Sequence, residues 1–322
     1  MNLLNNWMNW CYNDDLEQKT RQSSQDVFGI KMQSYNGPVL DLRTECVNAA
    51  RSIRDTYPNE KFCLLFSGGS ESEILVRSFL AAGVPFETFI YKYEHDINAY
   101  DVHHALNACA SMGIDYHLID FKLKSFFENQ AHEYSKQAQT IIPSLLVQLP
   151  MCEMVHGIPI MGGGELILQR THSDYSTKGT WVLEEWEYNW AWQKYFYLKN
   201  RPAIVDWCRW NPAQFLSWMN LQWFNDLVSD KYMNKLGIDS TKIHGYREAW
   251  PELSIRHKST GMENLDSYMQ DLFQELLEFN NYEYYGCERY VNYDQDNHPY
   301  SRGGNNYSVF YTPEQFKHLI RN

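Results

Sequence analysis

Two short stretches carry residue types suited to holding a charged ligand. The first is Ser67-Gly68-Gly69-Ser70-Glu71-Ser72, and the second is Gly162-Gly163-Gly164-Glu165. Each joins glycines, which let the backbone come close to a ligand, to a carboxylate that offers hard oxygen to a cation. Where such a loop opens a helix, the first N–H groups point at an anion and the helix dipole favours negative charge. A third stretch, Arg256-His257-Lys258-Ser259-Thr260-Gly261, is the best local supply of cations.

These stretches need elements to place them. Phe62 to Phe66 is a short, unbroken apolar run and reads as a buried strand. Ile74, Leu75, Phe79 and Ala82 then share a helical face that Gly83 stops. The same loop also reads as a capping box, with Ser70 as N-cap and Glu73 reaching back, and a capping box binds nothing. Phe86 to Tyr91 is a second strand, after which Asp96 or Asn98 can cap a helix through Val102, Ala105, Leu106, Cys109 and Met112. Residues 115–121 are a third strand. Alternating strands and helices imply parallel pairing, right-handed crossovers and helices on both faces. Ligands of such sheets lie beyond the carboxyl ends of the strands, where the first loop falls. The second loop follows the apolar run at 157–161 and leads into an expected helix from Leu166; as a bland alternative, Gly162 to Gly164 form only a flexible turn.

Neither the G-x-x-x-x-G-K-[ST] nor the G-x-G-x-x-G signature is present. Instead, the first loop resembles the SGGxDS signature of the PP-loop ATP pyrophosphatases, with Glu71 in place of Asp. The run from Thr88 through Asn98 and Asp101 to Gly113-Ile114-Asp115-Tyr116-His117 resembles the asparagine synthase branch of that superfamily, and Gly162–Glu165 is similar to that branch's second loop. The second loop lacks the preceding acids. The resemblance covers roughly residues 58–262. It implies that Ser67, Gly68, Gly69, Ser70 and Ser72 cradle the pyrophosphate of ATP, with Gly162, Gly163 and Gly164 as the second half of the site. Strand-two backbone at Phe89 to Tyr91 would lie beside adenine, and Glu71 and Glu165 would hold Mg²⁺. Arg256 would hold phosphate, and Lys258 would stabilise negative charge in the transition state beside Glu165. Arg256 to Gly261 reads equally well as an exposed basic turn.

The remaining chain bounds the answer. At 322 residues and 44% hydrophobic, it can bury a substantial core. A net charge of −12 with no long basic run disfavours extended nucleic-acid contact. The cysteines at 11, 46, 63, 109, 152, 208 and 287 include no C-x-x-C pair, which argues against a zinc site and a disulfide framework. Cys63 and Cys109 read as small core residues. No basic leader and no apolar run near the ~18 residues of a membrane span is visible, so a cytoplasmic protein is expected. The opening is too short for a glutaminase domain, so nitrogen would come from ammonia or an amine. His103 and His104 read as helix residues without ligand partners. Trp7 and Trp10 are anchors for another surface, and residues 122–139 and 141–154 are helical, with Pro150 breaking the second. Eight of the eleven tryptophans lie in 181–224, read as an aromatic helical layer or, alternatively, an acceptor pocket. Residues 262–279 form a helix, 280–311 read as loops or hairpins, and Thr312-Pro313 starts a final helix.

The expected fold is α/β: a PP-loop, Rossmann-like parallel sheet at 58–262, after a lead-in at 1–57 and before an extension at 263–322. The expected function is ATP- and Mg²⁺-dependent adenylation of a carboxylate or amide oxygen, followed by attack of an amine or ammonia. Two alternatives stand beside it: a degenerate PP-loop protein serving as a binding or structural module, and a nucleic-acid base-modifying relative. The acceptor is not identified, no membrane contact is expected, and an oligomer is compatible with the sequence.

Overall fold

The computed structural model describes residues 7–23, 25–163, 168–170, 181–228, 238–253, 261–265, 308–311 and 313–321, with 268, 270–272 and 275–276. The chain opens with β1 (Met8–Tyr12) and β2 (Phe28–Met32), an antiparallel pair, followed by α1 (Leu42–Thr56). The Asp41 carboxylate caps α1 by accepting the Thr44 N–H at 3.0 Å.

Next come β3 (Phe62–Leu65), α2 (Ser70–Ala82), β4 (Glu87–Tyr93), α3 (Ala99–Met112) and β5 (His117–Phe121). Gly83 and Gly113 end the two helices in left-handed conformation, as their positions predict. Four short helices follow, α4 (Leu123–Asn129), α5 (Ala131–Ala138), α6 (Pro143–Leu146) and α7 (Gln148–Glu153), before β6 (Ile158–Met161). The expected single helices at 122–139 and 141–154 are thus each divided. The second is interrupted at Val147, where Pro150 has no N–H to give the Leu146 carbonyl, so the break its proline predicts is present and Pro150 itself sits in the first turn of α7.

The four parallel strands stand in the order β5-β4-β3-β6, flanked by helices, which is the expected α/β class. Both faces are covered. Phe62, Leu64, Ile90, Ile158 and Ile160 belong to the core shared with α1, α2 and α3. Cys63, Phe89, Tyr91 and Met161 turn the other way, into the core shared with α4, α5 and α7. Burial on both sides explains why the strand at 62–65 is continuously apolar rather than alternating.

The second half holds β7 (Leu168–Arg170), β8 (Trp181–Trp186), α8 (Ala191–Leu198), α9 (Pro212–Met219), α10 (Gln222–Val228) and α11 (Ile238–Ala249). It closes with β9 (Ser308–Tyr311) and α12 (Pro313–Arg321), and β7-β8-β9 form an antiparallel sheet. Two expectations are corrected here. Residues 168–170 are strand, not the helix expected after the second loop, and 181–186 are strand, not part of a helical layer. One of the two pairing partners of β8 lies more than a hundred residues away at 308–311, and no local pattern reveals it. Leu272 and Leu276 are buried, as a helical face through them requires, whereas 262–265 form only a 3-10 turn.

Trp7 and Trp10 do anchor the N-terminal hairpin. The Trp7 indole N–H donates to the Arg209 carbonyl at 3.0 Å, and Trp10 packs on Trp190 with ring centroids 5.6 Å apart. Below them Glu187, fully buried, accepts from the Tyr12 hydroxyl at 2.5 Å, Lys194 Nζ at 2.9 Å and the Arg21 guanidinium at 2.5 Å. Burial pushes the Glu187 carboxyl up, but Lys194, Arg21 and Tyr12 outweigh it and hold the group below its ordinary value.

Candidate functional site

The strand order makes a topological switch point. From β3 the chain builds β4 and β5 on one side and then returns to place β6 on the other. The crevice of such a sheet opens between the carboxyl ends of the two strands that flank the reversal. Leu65 pairs with Met161, so β3 and β6 end level and the two glycine stretches leave the sheet side by side.

They touch. A side chain at Gly162 would meet the Glu71 carbonyl carbon and the Ser72 nitrogen, each at 2.8 Å. Only a glycine lets the second loop lie this close to the first turn of α2. We therefore expect Gly162→Ala to push the loops apart, lowering stability by about 1–3 kcal/mol. Thermal denaturation checks the stability, and titration with MgATP checks whether the crevice is spoiled in parallel.

The first loop is wired internally. Ser72 Oγ donates to the Gly69 carbonyl at 2.9 Å, which leaves Ser67 Oγ as donor to Ser72 Oγ at 3.1 Å and acceptor of the Gly69 N–H at 3.2 Å. Gly68 has φ +85°, and a side chain there would run into the Asp101 carbonyl in the first turn of α3. The capping-box expectation is overturned: the N-cap of α2 is Gly69, which has no side chain to offer, and Glu73 pairs instead with Arg77 at 2.7 Å. The N-cap of α3, Asn98, makes no side-chain cap either. Neither N-cap residue, Gly69 of α2 nor Asn98 of α3, lays its own side chain on the first N–H groups of its helix, and α2 begins at this crevice.

Glu71 is half-buried, with its Oε2 receiving the Ser70 hydroxyl at 3.1 Å. Phe89 and Tyr91 lie at the expected strand, but their side chains are internal. Phe89 stacks on His117 with centroids 4.8 Å apart, and the Tyr91 hydroxyl donates to the Met151 carbonyl at 2.6 Å. Burial pushes the Tyr91 phenol up. Their backbone carbonyls are engaged too: that of Phe89 accepts the Phe66 N–H, and that of Tyr91 accepts Asn98 Nδ2 at 2.9 Å.

Gly164, Glu165, Arg256 and Lys258 lie outside the described residues. Gly261 is described, and it packs on the Ile97 carbonyl in the loop after β4. Sequence reasoning missed the segment around Asp206. Met161 and Ile204 exchange backbone contact along the outer edge of β6, Asp206 bridges to Gly162, and the Cys208 N–H donates to the Gly163 carbonyl at 2.9 Å. Asp206 is itself held by Arg209 Nε at 3.1 Å. Nothing in the local pattern of 203–209 marks it as a neighbour of the second loop. Cys63 and Cys109 are fully buried, His103 is exposed on α3, and no group of three or more metal-ligating side chains occurs among the described residues.

No family model matches the chain, and no curated protein matches it. Among solved structures it is similar to the NMN synthetase of Francisella tularensis, at 14% identity and a TM-score of 0.32, covering 76% of this chain and 94% of that one. It is also similar to the NAD+ synthetase of Burkholderia pseudomallei, at 16% identity, TM-score 0.25, over 38% of this chain and 54% of that one. A third likeness is to the glutamine-dependent NAD+ synthetase of Acinetobacter baumannii, in complex with ADP, at 9% identity and TM-score 0.31, over 79% and 48%. This chain thus spans about half the length of the two NAD+ synthetases. At these identities and scores the likenesses carry no activity across. No helix among the described residues is long and apolar enough to cross a membrane.

Proposed function

We propose that the chain is an ATP-dependent adenylating enzyme of the PP-loop kind, akin to the asparagine synthase branch. The observation that carries this reading is the contact of Gly162 with the backbone of Glu71 and Ser72 at the switch point of a parallel sheet. The start of α2, whose N-cap is a glycine with no side chain to offer, lies at this crevice, which suits an anion of high charge.

In this reading an acceptor carboxylate or amide oxygen attacks the α-phosphorus of ATP. The bond from that phosphorus to the bridging oxygen breaks, and pyrophosphate leaves with the electron pair. An amine or ammonia then attacks the activated carbon and displaces AMP. Backbone N–H groups of Ser70 to Ser72, with Ser67 and Ser70, hold the pyrophosphate end. Arg256 holds phosphate and Lys258 meets the charge that develops at the α-phosphate.

Glu71 fits a magnesium ion as far as its chemistry goes. It is a half-exposed hard-oxygen donor, and Mg²⁺ bound with a nucleotide needs only one or two protein carboxylates, the rest being phosphate oxygens and water. Glu165 would be the second. The ion when bound supplies neutralising charge between the carboxylates and the triphosphate. Without it Glu71 would repel the nucleotide that α2 attracts.

Incubation with α-labelled ATP, Mg²⁺ and a panel of carboxylates and amines tests the reading, with AMP and pyrophosphate as the expected products. Glu71→Ala is expected to lower turnover about a hundredfold or more, the scale of lost transition-state electrostatics. Equal turnover in Glu71→Ala and wild type would remove Glu71 from the site. One observation favours a second reading, a nucleotide-binding or structural module without catalysis. The described residues after the second loop, Leu168–Arg170, are strand in place of the expected helix. Binding of ATP without product across the whole panel would support it.

A further inference from the structure

We propose that Asn98 is a positioning residue for the anion end of the crevice, holding the loop after β4 in place with its side chain turned away from the start of α3. The proposal rests on the crevice being the phosphate site. Asn98 occupies the N-cap position of α3, where its carbonyl accepts the Val102 N–H at 3.0 Å. An Asn there ordinarily turns its side chain onto the first helical N–H groups. This one turns away. Its Nδ2 donates to the Tyr91 carbonyl at 2.9 Å, and its Oδ1 accepts the Tyr93 N–H at 2.8 Å.

The reason lies in strand length. β3 ends at Leu65, opposite Phe89, while β4 continues to Tyr93. On the β3 side Tyr91 and Tyr93 therefore present a backbone acceptor and donor with no strand beside them, in a buried setting. A buried backbone group left unpaired is costly, and a carboxamide is the side chain that supplies one donor and one acceptor together. Asn98, itself buried, acts as a two-bond extension of the sheet.

That extension fixes what the glycine loops lean on. The Ile97 carbonyl lies where a side chain at Gly261 would be, and the Asp101 carbonyl lies where one at Gly68 would be. Between β4 and Asn98 the loop carries His95 at φ +56° and Asp96 at φ +55°, two consecutive non-glycine residues in the left-handed region. Such backbone persists only where its surroundings over-determine it. Here the Lys92–Asp96 ion pair at 2.7 Å and the two Asn98 bonds supply the constraint.

Two variants separate positioning from mere stability. Asn98→Asp keeps the size, loses the donor to Tyr91 and is a strong N-cap; Asn98→Ser caps α3 but is too short to reach β4. Amide exchange under native conditions is expected to quicken about tenfold at Tyr93 and Val102 and also at Glu73, whose N–H makes the first helical bond of α2, to the Gly69 carbonyl of the glycine loop. Calorimetric titration with MgATP is expected to show affinity about tenfold weaker. Faster exchange at Tyr93 alone, with Val102 and Glu73 at wild-type rates, overturns the proposal. Should wild type bind no MgATP, the phosphate reading falls while the exchange comparison still decides the positioning role. If neither variant folds, native exchange of wild type in mild denaturant takes their place. Tyr93, Val102 and Glu73 then open as one unit if Asn98 couples them, and separately if it does not.

Discussion

Replacing Gly68 by alanine is expected to abolish nucleotide binding and to cost about 3 kcal/mol of stability. Two effects add. At φ +85° an alanine sits in the left-handed region, which disfavours any residue with a Cβ. Its methyl would also enter the space of the Asp101 carbonyl, and backbone in the first turn of α3 cannot rotate away as a flexible side chain can. The loop would have to leave α3, breaking the register in which Gly69 and Ser72 are tied to Ser67. Binding should therefore fall much further than stability alone explains. Gly83→Ala is the control: it is also left-handed, at φ +67°, but has open space around it and lies at the far end of α2. It should lose stability and keep MgATP affinity. Equal affinity in Gly68→Ala and Gly83→Ala would disconnect the first loop from the ligand.

The second large effect lies away from the crevice. Glu187→Gln is expected to destabilise the fold by about 3–5 kcal/mol at neutral pH, the range for breaking a buried ion pair from one side. Two buried cations, Arg21 and Lys194, and the Tyr12 hydroxyl converge on this carboxylate, joining the N-terminal hairpin to α8. Its folded-state pKa is depressed, so its contribution is present above the unfolded carboxylate value and lost as pH falls through the folded one. Urea denaturation at pH 7 and in acid checks the sign. The gap between wild type and Glu187→Gln should close progressively below about pH 4.5, the ordinary range for a glutamate. A gap under about 1 kcal/mol at pH 7 would make the cluster no stronger than a surface pair.

The parallel sheet was legible because its information is local. A four-residue apolar run buried on both faces, a helix stopped by Gly83 and another stopped by Gly113 are each readable within a dozen residues. The glycine loops were legible for the same reason. What faded was anything set by distant pairing. β8 reads as part of a helical aromatic layer until β7 and β9 flank it, and β1 hides in an amide-rich opening until β2 pairs with it. The capping box failed on a one-residue shift: the helix starts at Ser70, so the cap falls on Gly69, and Arg77 at i+4 draws Glu73 away. Asn98 was recognised as a cap position, yet the use of its side chain depended on where β3 happens to end, which is a tertiary fact. Asp206 and Cys208 reach the second loop only because residues 203–206 lie along β6.

A crystal structure of the protein with Mg²⁺ and an ATP analogue that resists cleavage at the α-phosphorus tests the central claim most directly. The triphosphate is expected in the crevice, with its oxygens within hydrogen-bonding reach of the Ser70 to Ser72 backbone and the metal on the Glu71 carboxylate. A nucleotide seated elsewhere, with no phosphate oxygen near the Ser70 to Ser72 backbone and no metal on Glu71, would contradict it.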